Sequence, residues 1–462
     1  MTAMLEMQVK TLNSAKPLAL ALVVAAVFGG CASTTNSDGN LAQLIEQRTG
    51  TRPPVATDTA ARTTLKKDMA SLAAQALTAD TAVHIALLNN PSILARYDEA
   101  GIAAADLEQA GRLPNPEFSF KRTHGEGQIF IERGLTINLL DLLTLPLALR
   151  MERRRYEATR LDIAQAAVSL TAQVRSAYVE AVAARQAAHY MEDAAAAAEA
   201  SRELAQHMAE AGNWSRLDAA RQEAFDAATS NDAARAANLA QVAAQRLARL
   251  LGTDDGAALI LPDTLPPLPE RVSEAPVSID AAVKARLDVQ AAQQRTEWQA
   301  QDLGLTRATR FIDVLNLGAV ENRNEGAPRA PGYEINIGIP LFDWGEAKSR
   351  RAEALYLQSA DRLAATVQDA ASEIRIAQAN RLQAYELARR YRDDIMPRRK
   401  RIADETLLRY NGMLIGVFEL LNDARAQIAD TRAAIDALKD YWIAEAALQS
   451  ACGGIVTNKE VP

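Results

Sequence analysis

From Leu147 to Leu261 the chain holds no proline, and no glycine interrupts it before Gly212. A stretch of about 65 residues without a breaker predicts one helix about 100 Å long, because each residue adds about 1.5 Å of rise. Leu161, Ala164, Val168, Val174, Tyr178 and Ala181 recur along it at spacings that share one face. A rod of this kind has no interior of its own and must lie against other helices. Only 5% of the 462 residues are aromatic, and about a fifth are alanine. Small side chains let helix axes approach closely, but they cannot fill a large globular core.

The rod occurs twice. Gly212 ends the first and Gly412 the second, an offset of 412 − 212 = 200 residues. Thr81-Ala82-Val83 and Ala281-Ala282-Val283 open helical patterns at the same offset, so the chain reads as a duplication. Each half predicts a helix (78–111, then 278–308), two strands (116–143, then 311–343), a long helix (147–211, then 345–411) and a closing helix (215–251, then 416–451). The second rod repeats the stripe with Leu363, Val367, Ala370, Ile374 and Ala377. Pro397 interrupts it, and the missing donor predicts a kink there. The expected organisation is a targeting segment at 1–30, a flexible segment at 31–74, repeats at 75–260 and 278–452, a Pro-rich linker at 261–277 and a tail at 453–462.

The strands alternate. Ile335, Ile337, Ile339 and Leu341 point one way, and Asn336, Gly338 and Pro340 the other. Ile129, Ile131, Leu135 and Ile137 alternate with Thr136 and Asn138 in the same manner. Two readings stand: membrane β-strands, or a soluble four-stranded sheet covered by the helices. In a bilayer, open sheet edges cannot be hydrated. Four strands also cannot close, since the smallest common membrane barrels have about 8. The first reading therefore requires several chains to pool their strands.

Lys10 and Lys16 precede an apolar run from Leu18 to Phe28, followed by Gly29, Gly30 and Cys31. A run of about 11 residues is too short to span a bilayer and suits a secretory signal. Small residues before Cys31 resemble a bacterial lipobox, which implies that its sulfur carries a diacylglycerol. Ala32 and Ser33 follow in place of Asp, which in such lipoproteins implies the outer membrane. An ordinary signal peptide with an incidental cysteine is the other reading. Residues 32–64, rich in Ser, Thr, Asn and Pro, read as a flexible tether.

Composition closes other routes. Net charge −7 argues against a nucleic-acid partner. Two cysteines exclude a disulfide framework, and four scattered histidines show no metal-ligand spacing. No catalytic constellation, cofactor motif or metal site is assigned, so an enzyme is not expected.

Three segments then carry a family resemblance. They are Asn89-Asn90-Pro91 with Gly111-Arg112-Leu113-Pro114-Asn115-Pro116, Gly338 to Gly345 (GIPLFDWG), and Arg409-Tyr410-Asn411-Gly412 with Val417 to Ala424 (VFELLNDA). In this order, with the duplication, the chain resembles the TolC family of outer-membrane efflux proteins over about residues 75–452. The resemblance implies a mainly α fold with a membrane β portion, a homotrimer with a twelve-stranded barrel, and a twelve-helix periplasmic tunnel continuing it. It implies passive export, with an inner-membrane pump and a periplasmic adaptor as partners and outer-membrane lipid around the barrel. A periplasmic coiled-coil lipoprotein with a tethering role is the alternative.

The resemblance places helix turns of a periplasmic tip at Gly212 and Gly412. An acidic gate would fall at Glu419 and Asn422, with Asp423 one residue on and Asp218 in the first half. The family's glycine would fall at Met413, one residue beyond Gly412, and its latching basic residue near Ile415, where none stands. A ring of carboxylates would focus negative potential in a pore. For Glu419 a solvated helix-surface carboxylate is the other reading, and for Asp218 a helix-dipole partner. Phe342 and Trp344 read either as membrane-interface anchors or as packing. Trp214 reads as packing of the tip turn or as an adaptor contact. The basic run Arg398 to Arg401 reads as a salt-bridged face or an adaptor contact. Gly125-Glu126-Gly127 reads as a loop at a strand-pair tip.

Overall fold

The computed structural model describes residues 37–53, 75–125, 128–272, 278–312 and 314–454. The signal segment and Cys31 lie outside the described residues. Of the first 40 residues, the described ones (37–40) form the opening turn of one helix, and the second unit of the chain runs from Leu41 onward. The helices are α1 (Ser37–Thr49), α2 (Ala79–Asn89), α3 (Pro91–Ala110), α4 (Leu139–Glu210), α5 (Arg216–Leu251), α6 (Ile279–Ala285) and α7 (Leu287–Thr309). They continue with α8 (Glu346–Arg390), α9 (Met396–Asn411) and α10 (Val417–Ala451). The strands are β1 (Glu117–Gly125), β2 (Gln128–Asn138), β3 (Leu315–Asn324) and β4 (Ala330–Ile337). The expected order appears in both halves.

Several boundaries differ, each for a local reason. The helix expected at 78–111 breaks at Asn90, whose backbone is extended ahead of Pro91. Its counterpart breaks at Arg286. Helix α4 begins at Leu139 instead of 147 and carries Pro146 at the start of its third turn. The Asn138 side chain caps it, accepting a hydrogen bond from the Asp141 N–H at 3.1 Å. Strand β4 stops at Ile337, so Ile339 and Leu341 lie beyond the sheet. At Pro397 the helix inserts one π-helical turn, Tyr391–Ile395, directly before α9. A widened turn is one way for a helix to absorb a residue that cannot donate.

The segment expected to be a flexible tether is partly ordered: α1 occupies Ser37–Thr49. Its Leu41 and Ile45 are buried in the largest core cluster, with Ile85, Leu87, Ile163, Val174, Leu247 and Leu251. Each such aliphatic side chain contributes about 1.5–3 kcal/mol on burial. A second, smaller cluster in the other half joins Val283, Val289, Ala370, Ile374 and Leu448. Both cores gather where a closing helix returns to the broken first helix of its half. Away from them α4 and α5 meet at Met191, Ala194 and Ala236, and α8 and α10 at Tyr385, Ala388, Ala437 and Tyr441.

Each junction is fastened by side chains on backbone carbonyls. In the first half, the Asn89 amide donates to Leu251 O and Gly252 O, both at 2.9 Å, and the Asn90 amide to Leu250 O at 2.9 Å. Gly252 needs its left-handed conformation (φ 72°), and a Cβ there would meet Asn89 O at 2.5 Å. In the second half Arg286 takes this place. It donates to Ala451 O (3.1 Å) and Glu373 (2.7 Å) and holds Asp288 with both arms of its guanidinium. Burial alone would lower its pKa, but the two carboxylates hold the guanidinium above its ordinary value.

Candidate functional site

The four strands form one antiparallel sheet in the order β1-β2-β3-β4. Among the described residues, the outer edges of β1 and β4 pair with nothing. Directly opposed residues share a face, so the register sorts the side chains into two sets. One face carries the rows Phe118-Leu135-Ala319-Tyr333, Ile137-Leu317-Ile335 and Leu315-Ile337. The other carries Lys121-Glu132-Asn322, Glu117-Thr136-Gly318-Glu334 and Asn138-Asn316-Asn336. The apolar face is uncovered: Phe118, Leu135, Tyr333, Ile335 and Ile337 are all exposed, Tyr333 at 82%. The helices do not pack over it, which removes the covered soluble sheet expected as the second reading.

All four helix connections leave the same end of the sheet, and both hairpin loops lie at the other. At the helix end the apolar surface continues beyond β4 through Ile339, Leu341 and Phe342, the last 99% exposed. Trp344 packs edge-on against Phe311 at a centroid distance of 6.4 Å, and Arg310 lies over the Phe311 ring. The turn into α8 depends on Gly345 (φ 71°), where a Cβ would lie 2.7 Å from that of Arg310. The Asp343 carboxylate accepts the Gly345 N–H at 2.9 Å. Hence the GIPLFDWG segment is a tight strand-to-helix turn bearing an exposed aromatic cluster.

The two helical hairpins end in equivalent turns. In the first, Asn213 N–H donates to Met208 O and Gly212 takes the left-handed position, φ 76°. In the second, Leu414 N–H donates to Arg409 O, and the left-handed residue is Met413, φ 55°. The structural counterpart of Gly212 is therefore Met413, and Gly412 precedes it in an ordinary conformation. Ser215 caps α5 by accepting the Asp218 N–H at 3.2 Å, whereas Gly416 has no side chain to cap α10. The turns touch through Trp214 and Phe418, 6.5 Å between centroids, with Arg221 over the Phe418 ring.

The acidic candidates fall into different surroundings. Glu419 and Asn422 are exposed in the first two turns of α10, and Glu419 has no ion-pair partner among the described residues. Asp423 is engaged: Arg399 of α9 reaches it at 2.6 Å and Asp430 at 2.8 Å. Asp218 accepts from Ser215 Oγ at 2.7 Å and pairs with Arg221 at 3.4 Å. In the basic run, Arg398 pairs with Asp394 of the preceding π-helical turn, while Lys400 and Arg401 are exposed. Arg202 of α4 reaches Asp226 of α5 at 3.1 Å, and both bridges join residues 24 apart in sequence. Sequence reading missed both bridges. The shared spacing across each turn is the signal that could have found them. Among the described residues no three His, Cys, Asp or Glu side chains gather as a metal site. No helix among them is long and apolar enough to cross a membrane.

No protein-family model matches the chain. The protein CyaE of Bordetella pertussis is 26% identical over 336 residues, covering 65% of this chain and 69% of that protein. Among solved structures, the Campylobacter jejuni CmeC outer membrane channel superposes with a TM-score of 0.70 at 17% identity, covering 83% of this chain and 87% of that one. The outer membrane protein VceC of Vibrio cholerae gives 0.68 at 16% identity, covering 81% and 96%. The Neisseria gonorrhoeae MtrE outer membrane channel, solved in its open state, gives 0.65 at 21%, covering 82% and 90%. The chain has this TolC-like fold, a duplicated helical body with a small β portion.

Proposed function

We propose that three copies of this chain pool their strands into a twelve-stranded barrel across an outer membrane. Their helices continue it as a conduit through the periplasm. It passes outward a cargo supplied by an inner-membrane pump and a periplasmic adaptor. The sheet carries the reading: an exposed apolar face suits lipid, the opposite polar face suits a wet lumen, and two unpaired edges require neighbours. The likeness to outer membrane channels supports it. A tethering lipoprotein would have no use for an uncovered apolar sheet. The test is a planar bilayer with the purified full chain. Stepwise conductance and a heat-modifiable trimer are expected. A water-soluble protein that conducts nothing overturns the proposal.

Finer assignments follow from this reading. Phe342 and Trp344 anchor the periplasmic edge of the membrane. The turns at Gly212 and Gly412 form the tip that meets the adaptor. Glu419, exposed and without an ion-pair partner among the described residues, is the principal gate carboxylate, with Asn422 beside it. Asp423 and Asp218 serve mainly to hold their own hairpins. Glu419→Ala should weaken block by divalent cations, and unchanged block removes it from the gate. Cys31 carries the lipid anchor, and labelling by radioactive palmitate that survives Cys31→Ser would refute this.

A further inference from the structure

The apolar face of the sheet does not stay apolar to its loop end. Two rows there carry charge: Arg122-Ile131-Arg323, and next to it Phe120-Arg133-Glu321-Pro331. Arg329, in the loop before β4, lies 3.8 Å from Glu321, as does Arg133, so it joins the same face. Arg122 and Arg323 are exposed and have no ion-pair partner among the described residues. Glu325, one residue past β3, is the other acidic residue nearby among the described residues. Four guanidiniums thus face two carboxylates.

This placement is costly unless something compensates it. An arginine on the lipid face costs about 2–4 kcal/mol at the bilayer midplane and about 0–1 near the interface. From the Leu317 row to the Arg323 row is six residues, about 20 Å along the strand. The arginines therefore stand at the outward interface when the Leu317 and Leu315 rows lie deep in the membrane. The two charged rows are about 7 Å apart, and Arg122 and Arg323 are separated by two strand spacings, about 10 Å. A headgroup with phosphates on a rigid sugar scaffold could bridge such an array, each phosphate meeting a guanidinium fork. The acyl chains of such a lipid would lie along Phe118, Leu135 and Tyr333.

We infer that Arg122, Arg133, Arg323 and Arg329 form a binding site on the barrel's outer wall for a phosphate-bearing glycolipid of the outward leaflet. This rests on the barrel reading above. The experiment uses full-length trimer in detergent and adds bisphosphorylated lipid A, phosphate-free lipid A or phosphatidylglycerol. Retained lipid is counted by native mass spectrometry. Heat-modifiability and conductance of the same samples report separately on the barrel. The wild type should retain the phosphorylated glycolipid at least tenfold over the other two. Arg122→Gln with Arg323→Gln should remove most of that preference while leaving the Arg133 and Arg329 pairs to Glu321 intact. Lysine at both positions should restore part of it. An intact barrel that shows no preference, or keeps it in the double glutamine variant, overturns the site and leaves the barrel standing. Equal retention of phosphatidylglycerol overturns the glycolipid assignment. Loss of conductance and of heat-modifiability in the wild type overturns both readings.

Discussion

Gly212 and Met413 occupy the same left-handed position in the two hairpin turns, at φ 76° and 55°. The first turn is locally relaxed, with glycine where no Cβ is wanted and Ser215 capping the helix that leaves. The second holds a long side chain in a conformation that costs about 1–2 kcal/mol, and its outgoing helix starts at Gly416 without a cap. Contacts between elements compensate: Arg399 ties α9 to α10, and Phe418 rests on Trp214. Thus the first hairpin adds local preference to its Arg202–Asp226 bridge, and the second relies mainly on tertiary contact. The helix junctions, both tertiary, differ in charge, with uncharged amides in the first half and a buried guanidinium in the second.

If that contrast is real, equivalent substitutions must have unequal effects. Arg286→Ala strands Asp288 and Glu373 and frees the Ala451 carbonyl, and should cost about 3 kcal/mol. Asn90→Ala should cost about 1–2 kcal/mol. Urea midpoints of the purified protein compare the two, and equal losses would break the distinction. Arg399→Ala should cost about 2 kcal/mol and open the second hairpin to protease, with Arg202→Ala costing about 1 kcal/mol. Cleavage at the first hairpin in both variants would count against the contrast. Exchanging the turn residues gives opposite signs. Gly212→Met should destabilise by about 1–2 kcal/mol and Met413→Gly should stabilise by about 0.5–1 kcal/mol, measured as shifts of the thermal midpoint. The smallest effect sharpens the same point: Gly416→Ser, which supplies the missing cap, should gain about 0.3 kcal/mol.

The duplication, the order of elements and the two-faced strands were legible because each leaves a periodic or punctuating mark. Gly212, Asn90-Pro91 and the alternation from Leu315 to Ala319 are marks of that kind. The fastenings were not legible. Nothing local to Arg286 says that it stands in for an asparagine four residues out of step with the 200-residue repeat. Arg399 looked like one member of a basic run because its carboxylates lie 24 and 31 residues away on another helix. Met413 in the left-handed region contradicts propensity, so reading by propensity places the turn at Gly412. Helix α1 was hidden by the Ser- and Thr-rich residues around Leu41 and Ile45, whose burial depends on α2 and α4. Glu419 was legible as a candidate by resemblance, yet its separation from the engaged Asp423 required the structure.

The unpaired edges of β1 and β4 carry a genetic consequence. In the proposed trimer, a ring of three sheets has three seams, and each subunit supplies one side of two of them. A chain with an intact helical body but a proline in the middle of β4 would still enter assembly and leave its seam open. One such subunit is enough to spoil a ring. With equal amounts of sound and damaged chains mixing at random, only about one ring in eight would be sound throughout. Such an allele would be dominant, whereas deletion of the same copy would cost at most half the channels.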